Sequence, residues 1–209
     1  APSLRLSSIF AKVHYLACDK SGQCATFEFL NGRLKVHSSS EMPSKALTNS
    51  TYGKAKSNLS LYQGFGGAKE VPMTGYGSLD RFVRLSHLQK EFVKIRTHSS
   101  RSKRAFEVLD GVESEGFSVW HIVYNFEELS LSYRRLDLDR QNIKEIQFSE
   151  FDFSCLKPVK TFDMDQTAQG DISRSFANYD SRLNDRIVQK SGDHHNMPQA
   201  LIQKVKDYP

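Results

Sequence analysis

The dipeptide Asn31-Gly32 stands between the runs CATFEFL and RLKVHS, in which apolar and polar residues alternate. Both turn residues tolerate positive φ, so the pair favours a two-residue type I′ turn and a tight antiparallel hairpin. A further run, AKVHYLACD, precedes the turn signal Lys20-Ser21-Gly22, and residues 9–38 therefore read as an antiparallel meander.

Beyond the meander the pattern changes. In ALTNSTYGKAKSNLSLY, Leu47 ends a short strand and Tyr52, Ala55, Leu59 and Tyr62 follow helical spacing, which predicts a helix entered near Asn49. The glycine-rich QGFGGAKEVPMTGYGS is too long for a simple turn and reads either as a surface loop beside a site or as an ordinary connection. SLDRFVRLSHLQKEFVKI places Phe82, Val83, Leu85, Leu88, Phe92 and Val93 on one apolar stripe of a helix. RAFEVLDGV predicts another helix, with Gly111 as its C-cap. The runs FSVWHIVYNF and LSLSYRRLDL predict a hairpin turning at Glu127-Glu128, IKEIQFSEFDFS a further strand, and Pro158 to Phe162 a brief extension. From Thr167 the chain is polar and interrupted by Gly170, Gly192 and Pro198, so it reads as a loosely packed tail. Strands, then helices, then strands define an α+β fold in which antiparallel sheets pack with helices. The strict alternation of a parallel βαβ fold is not seen.

With 38% hydrophobic and 25% charged residues, the chain has enough apolar content for a single core. The net charge of +5 would suit an anionic partner, but 24 acidic residues interleave with 29 basic ones, which describes a mixed solvated surface. The densest basic run, HSSRSKR at residues 98–104, reads as an exposed connection, so a nucleic-acid partner is not expected. No stretch has the length of a membrane span, and APSLRLSSIF lacks the features of a signal peptide, leaving the compartment unreadable. Cys18, Cys24 and Cys155 are odd in number and lack CxxC spacing, which favours buried thiols over a disulfide framework or a zinc site. Cys18 and Cys24 pair only if a short hairpin brings them face to face. His194-His195 lies in the polar tail and His14 and His121 inside strand patterns, so no metal or cofactor is expected. The Gly64 to Gly67 run lacks the strand and helix start of a phosphate loop.

Read in order, VHYLACDKSGQCATFEFLNGRLKVH, ALTNSTYGKAKSNLSLY, QGFGG, SLDRFVRL, VWHIVYNFEELSLSYRR and IKEIQFSEFDFS resemble the later part of the choloylglycine hydrolase and penicillin V acylase family. QGFGG and DRFVR look most like its Gram-negative branch. The resemblance runs from about Val13 to about Phe153, and its specificity lies in the order of the motifs. It implies that residues 1–166 are the C-terminal part of a single domain, within an αββα N-terminal-nucleophile hydrolase sandwich, followed by the tail at 167–209. It also implies a small-molecule amide substrate (a bile-salt conjugate, penicillin V or an acyl homoserine lactone), a homo-oligomer when full length, and a periplasmic location.

Enzymes of this family attack an amide carbonyl with an N-terminal cysteine whose own α-amino group handles the proton. This sequence begins with Ala1, and Cys18 and Cys24 are internal, so the resemblance implies a preceding segment with the nucleophile, an arginine and an aspartate. Without such a segment the chain reads as a truncated, non-catalytic remnant or a binding module. Two family positions carry over. Asn49 of LTN matches the asparagine that donates to the oxyanion, an interaction worth roughly 3–4 kcal/mol. Its other reading is a helix cap. Arg81 of DRFVR matches the arginine beside the nucleophile, with Arg84, one turn on, as the competing candidate. An exposed helical arginine in a surface ion pair is the plainer reading of Arg81. Ser50-Thr51 departs from the usual family pattern, and Phe65 and Tyr76 of the glycine-rich loop are candidates to line an acyl pocket.

Overall fold

A computed structural model of the chain describes residues 13–94, 101–114, 116–154 and 156–207. Cys155, Ile9 and the first part of the basic run, residues 98–100, lie outside the described residues, as does the side chain of Val93.

The meander forms as the turn chemistry requires. Strands β1 (His14–Cys18), β2 (Cys24–Leu30) and β3 (Arg33–Ser38) pair antiparallel in chain order. Leu30 pairs with Arg33 across Asn31 and Gly32, whose φ values are 53° and 75°. The register aligns Tyr15 with Phe27 and Val36, and Phe29 with Leu34, on one face. The opposite face carries Leu16, Cys24, Thr26 and Glu28 and packs on the helices. Thr26 and Glu28 on that face are buried, while Tyr15, Phe29, Leu34 and Val36 on the apolar face are 41–67% exposed. An apolar sheet face of this kind is shaped to take another layer.

Cys18 and Cys24 do not remain thiols. They are direct cross-strand partners, with Cα atoms 4.1 Å apart, and form a disulfide. The intervening turn is closed by bonds from Asp19 N to Gln23 O and from Gly22 N to Asp19 O, which bring the cysteines face to face.

No strand ends at Leu47; residues 42–51 form no ladder and lead irregularly into α1 (Tyr52–Leu59). Ala46 and Met42 of that segment are nonetheless buried with Cys24, Tyr52, Ala55, Leu59, Phe82 and Val83 in the main core. Tyr52 meets Phe82 edge-on at 5.8 Å between ring centroids, joining α1 to α2 (Ser78–Lys94), the helix predicted by the apolar stripe. Helix α3 (Arg101–Asp110) absorbs the second half of the basic run into its first turn, so those residues are helical and not a connection. Gly111 follows it but is not among the glycines with positive φ. Its small size matters instead, because a Cβ there would lie 2.7 Å from Leu88 Cδ1.

The second sheet contains the predicted hairpin, β4 (Trp120–Asn125) and β5 (Ser130–Arg135), followed by β6 (Asp139–Gln147). The Asn125 side-chain oxygen accepts from the backbone N–H groups of Glu127 and Glu128 and shapes the turn. Lys160–Thr161 (β7) pairs with Ala177–Asn178 (β9), and Gly170–Asp171 (β8) adds a parallel strand beside β6.

Residues beyond Thr167 are therefore not a loose tail. Asp180 caps α4 (Ser181–His194), and Pro198 precedes α5 (Gln199–Lys206). The two helices pack where Gly192, a residue that resembles a breaker, admits the Ile202 side chain, which is 1% exposed. The α+β class expected from the sequence is the class observed. Among the described residues no helix is long and apolar enough to cross a membrane.

Candidate active site

Asn49 and Arg81 are 32 positions apart in sequence, and the fold brings them together. Arg81 Nη2 donates to Asn49 Oδ1 at 2.5 Å, while Nε donates to the Tyr76 carbonyl at 3.2 Å. Arginine has donors only, so this bond orients the Asn49 amide with its oxygen toward the guanidinium. The Nδ2 group consequently points away as a donor and takes no acceptor among the described residues. Asn49 itself is exposed.

The turn carrying Asn49 is held from two directions. Ser50 N donates to Ser78 Oγ at 2.7 Å, and Thr48 Oγ1 lies 3.0 Å from both the hydroxyl and the carbonyl oxygen of Ser78. On the other side, Tyr52 N donates to both carboxylate oxygens of Glu28, at 2.9 and 3.1 Å, and His14 Nδ1 lies 3.0 Å from Oε1. Glu28 is 1% exposed and sits at the N-terminus of α1, where a negative charge is favourable. The residue before α1 is Thr51, which makes no side-chain cap bond. Asn49 is thus not the cap of this helix; the buried carboxylate from β2 satisfies its first N–H, that of Tyr52. The alternating pattern of β2 placed Glu28 on the face of Cys24 and Thr26 but carried no sign of its distant partner.

The two candidate arginines separate clearly. Arg84 is buried and donates to the carbonyls of Gly111 at 2.5 Å, Pro72 and Thr74 at 3.0 Å and Gly75 at 2.9 Å. It ties the glycine-rich loop and the end of α3 to α2. Arg81, one turn earlier, addresses Asn49.

The loop aromatics also diverge. Phe65 packs on the edge of the main core, with Lys90 Nζ 3.8 Å from its ring centroid, whereas Tyr76 is 60% exposed. Gly67 is required by close approach, since a Cβ would fall 2.0 Å from the Leu61 carbonyl carbon. A groove of about 840 Å³ runs between α2, α3 and β4, lined by residues including Leu85, Phe92, Val108 and Ile122, but neither Asn49 nor Arg81 reaches it.

A second polar cluster forms between α3 and the β4–β5 hairpin. Asp110 pairs with Arg134, whose Nη2 is 3.3 Å from His121 Nδ1, and Arg140 grips Glu113 through two bonds of 2.7 Å. Burial, reinforced by the Arg134 charge, holds the His121 imidazole below its ordinary value of 6.5. The Arg140 hydrogen bond pulls the Glu113 carboxyl below its usual range. Asp110, Glu113 and His121 offer ligand atoms within 4.8 Å of one another, yet both carboxylates are already neutralised by guanidinium groups. The arrangement is that of an ion-pair network. His194 and His195, at the end of α4, stack edge-on at 4.9 Å between centroids.

This fold is shared with amide hydrolases of known structure. Penicillin V acylase from Agrobacterium tumefaciens superposes with a TM-score of 0.64 at 19% identity, over 77% of this chain and 54% of that one. A mutant of the conjugated bile acid hydrolase from Clostridium perfringens gives 0.52 at 15% identity over 66% of this chain and 50% of that one. Another variant of the same hydrolase gives 0.51 at 14% identity over 80% and 54%. The fold implied by the resemblance is therefore the fold found. The chain spans about half the length of these proteins. No protein-family model matches it, and no curated protein is significantly similar in sequence.

Proposed function

We propose that this chain is the C-terminal part of a hydrolase of linear amide C–N bonds, in which Asn49 supplies an oxyanion donor and Arg81 holds it in place. The observation that carries this reading is the Asn49–Arg81 contact, which leaves Nδ2 as a free donor on a turn pinned at both ends. An N–H fixed in advance where negative charge develops lowers the barrier without reorganising during the reaction.

The nucleophile belongs to a segment outside this sequence. Cys18 and Cys24 cannot serve, because both sulfurs are held in the disulfide. In the proposed reaction an N-terminal cysteine thiolate attacks the amide carbonyl, and the tetrahedral oxyanion accepts from Asn49 Nδ2. The cysteine's α-amino group passes a proton to the departing amine, and water then cleaves the thioester. The guanidinium of Arg81 adds positive charge that favours the thiolate. Bile-salt conjugates, penicillin V and acyl homoserine lactones are the substrate classes this reading offers, acting in a homo-oligomer of the whole protein. The uncovered apolar face of the meander supports a protein that continues into a further layer.

The alternative is that the 209 residues are a non-catalytic remnant or binding module. The two readings separate on Asn49→Ala in the protein with its preceding segment. Loss of an oxyanion donor should lower kcat by about 10²–10³. Unchanged turnover on every amide that is cleaved would remove Asn49 from the reaction.

A further inference from the structure

We infer that Ser78 is a positioning residue for the Asn49 amide, an assignment that rests on the oxyanion role proposed above. An exposed side chain on an irregular turn has no packing of its own to hold it, so its geometry must be imposed from outside. Ser78 does this from the first turn of α2.

The hydrogen-bond geometry allows every hydrogen to be used once. Ser50 N–H donates to Ser78 Oγ at 2.7 Å. Thr48 Oγ1 donates to the Ser78 carbonyl at 3.0 Å, which frees the Ser78 hydroxyl hydrogen to return to Thr48 Oγ1, also at 3.0 Å. The residues immediately before and after Asn49 are thereby tied to one serine. Ser78 and Arg81 are three apart on α2 and share a face, so one helix grips the backbone of the turn with a hydroxyl and its amide with a guanidinium.

A serine at the start of a helix ordinarily bonds to the backbone a few residues ahead. Here both partners are 28 and 30 positions away. The bonds therefore fix the turn against the helix. With Glu28 holding Tyr52 N, the chain from Thr48 to Tyr52 is anchored on either side of Asn49 and the amide has one orientation to offer.

The test uses the ¹⁵N-labelled chain, comparing wild type with Ser78→Ala and Ser78→Thr by nuclear magnetic resonance. In Ser78→Ala the Ser50 amide should exchange with solvent about tenfold faster, consistent with loss of one hydrogen bond. The order parameter of the Asn49 side-chain NH₂ should fall, while exchange at Phe82 and Val83 holds. Ser78→Thr, which keeps the hydroxyl, should restore both signals. An unchanged Asn49 order parameter in Ser78→Ala would overturn the assignment. So would a loss that spreads through the α1–α2 core and is not rescued by threonine. Neither measurement involves turnover, so failure here is distinct from failure of the amide-hydrolase reading, which Asn49→Ala judges.

Discussion

Replacing Glu28 tests whether a buried carboxylate on β2 is what starts α1. Tyr52 is 0% exposed, and its backbone N–H has both Glu28 oxygens as acceptors. Glu28→Ala leaves that donor buried without a partner, at about 1–3 kcal/mol. It also removes a negative charge from a helix N-terminus, worth about 0.3–1 kcal/mol. The combined loss is roughly 1–4 kcal/mol, which for a chain of this size lowers Tm by roughly 3–16 °C. Glu28→Gln keeps a carbonyl oxygen for Tyr52 N and should lose only about 1 kcal/mol, chiefly the charge–dipole part. Thermal unfolding followed by circular dichroism at low protein concentration compares all three forms. A Glu28→Ala midpoint equal to wild type would refute the capping argument. Equal losses in both variants would show that the carboxylate charge matters, since glutamine keeps both the shape and an acceptor oxygen.

Three further outcomes follow from the same physical chemistry. The isolated chain should self-associate through the apolar face of the meander. Phe29→Lys with Val36→Lys should shift it toward monomer on size-exclusion chromatography with light scattering, whereas a monomeric wild type would count against an uncovered layer. Breaking the disulfide by Cys18→Ser with Cys24→Ser should cost about 2 kcal/mol from the short loop it closes. The loss should appear as a lower unfolding midpoint, matched by wild type under reducing conditions. His121 is held neutral in the fold, with its pKa below the ordinary 6.5, so the unfolded chain binds the proton more readily. Stability should therefore fall as pH drops through 6.5 toward the folded value. The urea midpoint of wild type should lose more between about pH 7.5 and 5.5 than that of His121→Gln, and parallel pH profiles would reject this linkage.

What could be read from the sequence was what short spans decide. Asn31-Gly32 defined a turn because its conformational requirement lies in two adjacent residues, and the α2 stripe defined a helix because its apolar positions repeat within one element. Gly192 reads as a breaker but makes room for a neighbour, and Gly111 follows the end of α3 as expected but without positive φ, since a glycine looks the same in a string whether it breaks a helix, caps one or makes room. Ile202 and Leu88, the neighbours concerned, lie 10 and 23 positions away. The cysteine pairing was missed for a related reason: six positions of separation permit a disulfide only in one hairpin register.

The candidate site divides along the same line. Asn49 and Arg81 could be singled out by their motifs, but their contact spans 32 positions, and the groups that hold them have no motif at all. Glu28 reads as a polar residue in an alternating strand and Ser78 as a serine near a helix start. Each acquires its role only when β2 and α2 converge on the turn between Thr48 and Tyr52. The donor and its guanidinium partner were thus accessible to pattern, while the preorganisation that would make them effective is a property of the tertiary structure. Substituting either anchor should accordingly disturb Asn49 without changing any residue a motif search would flag.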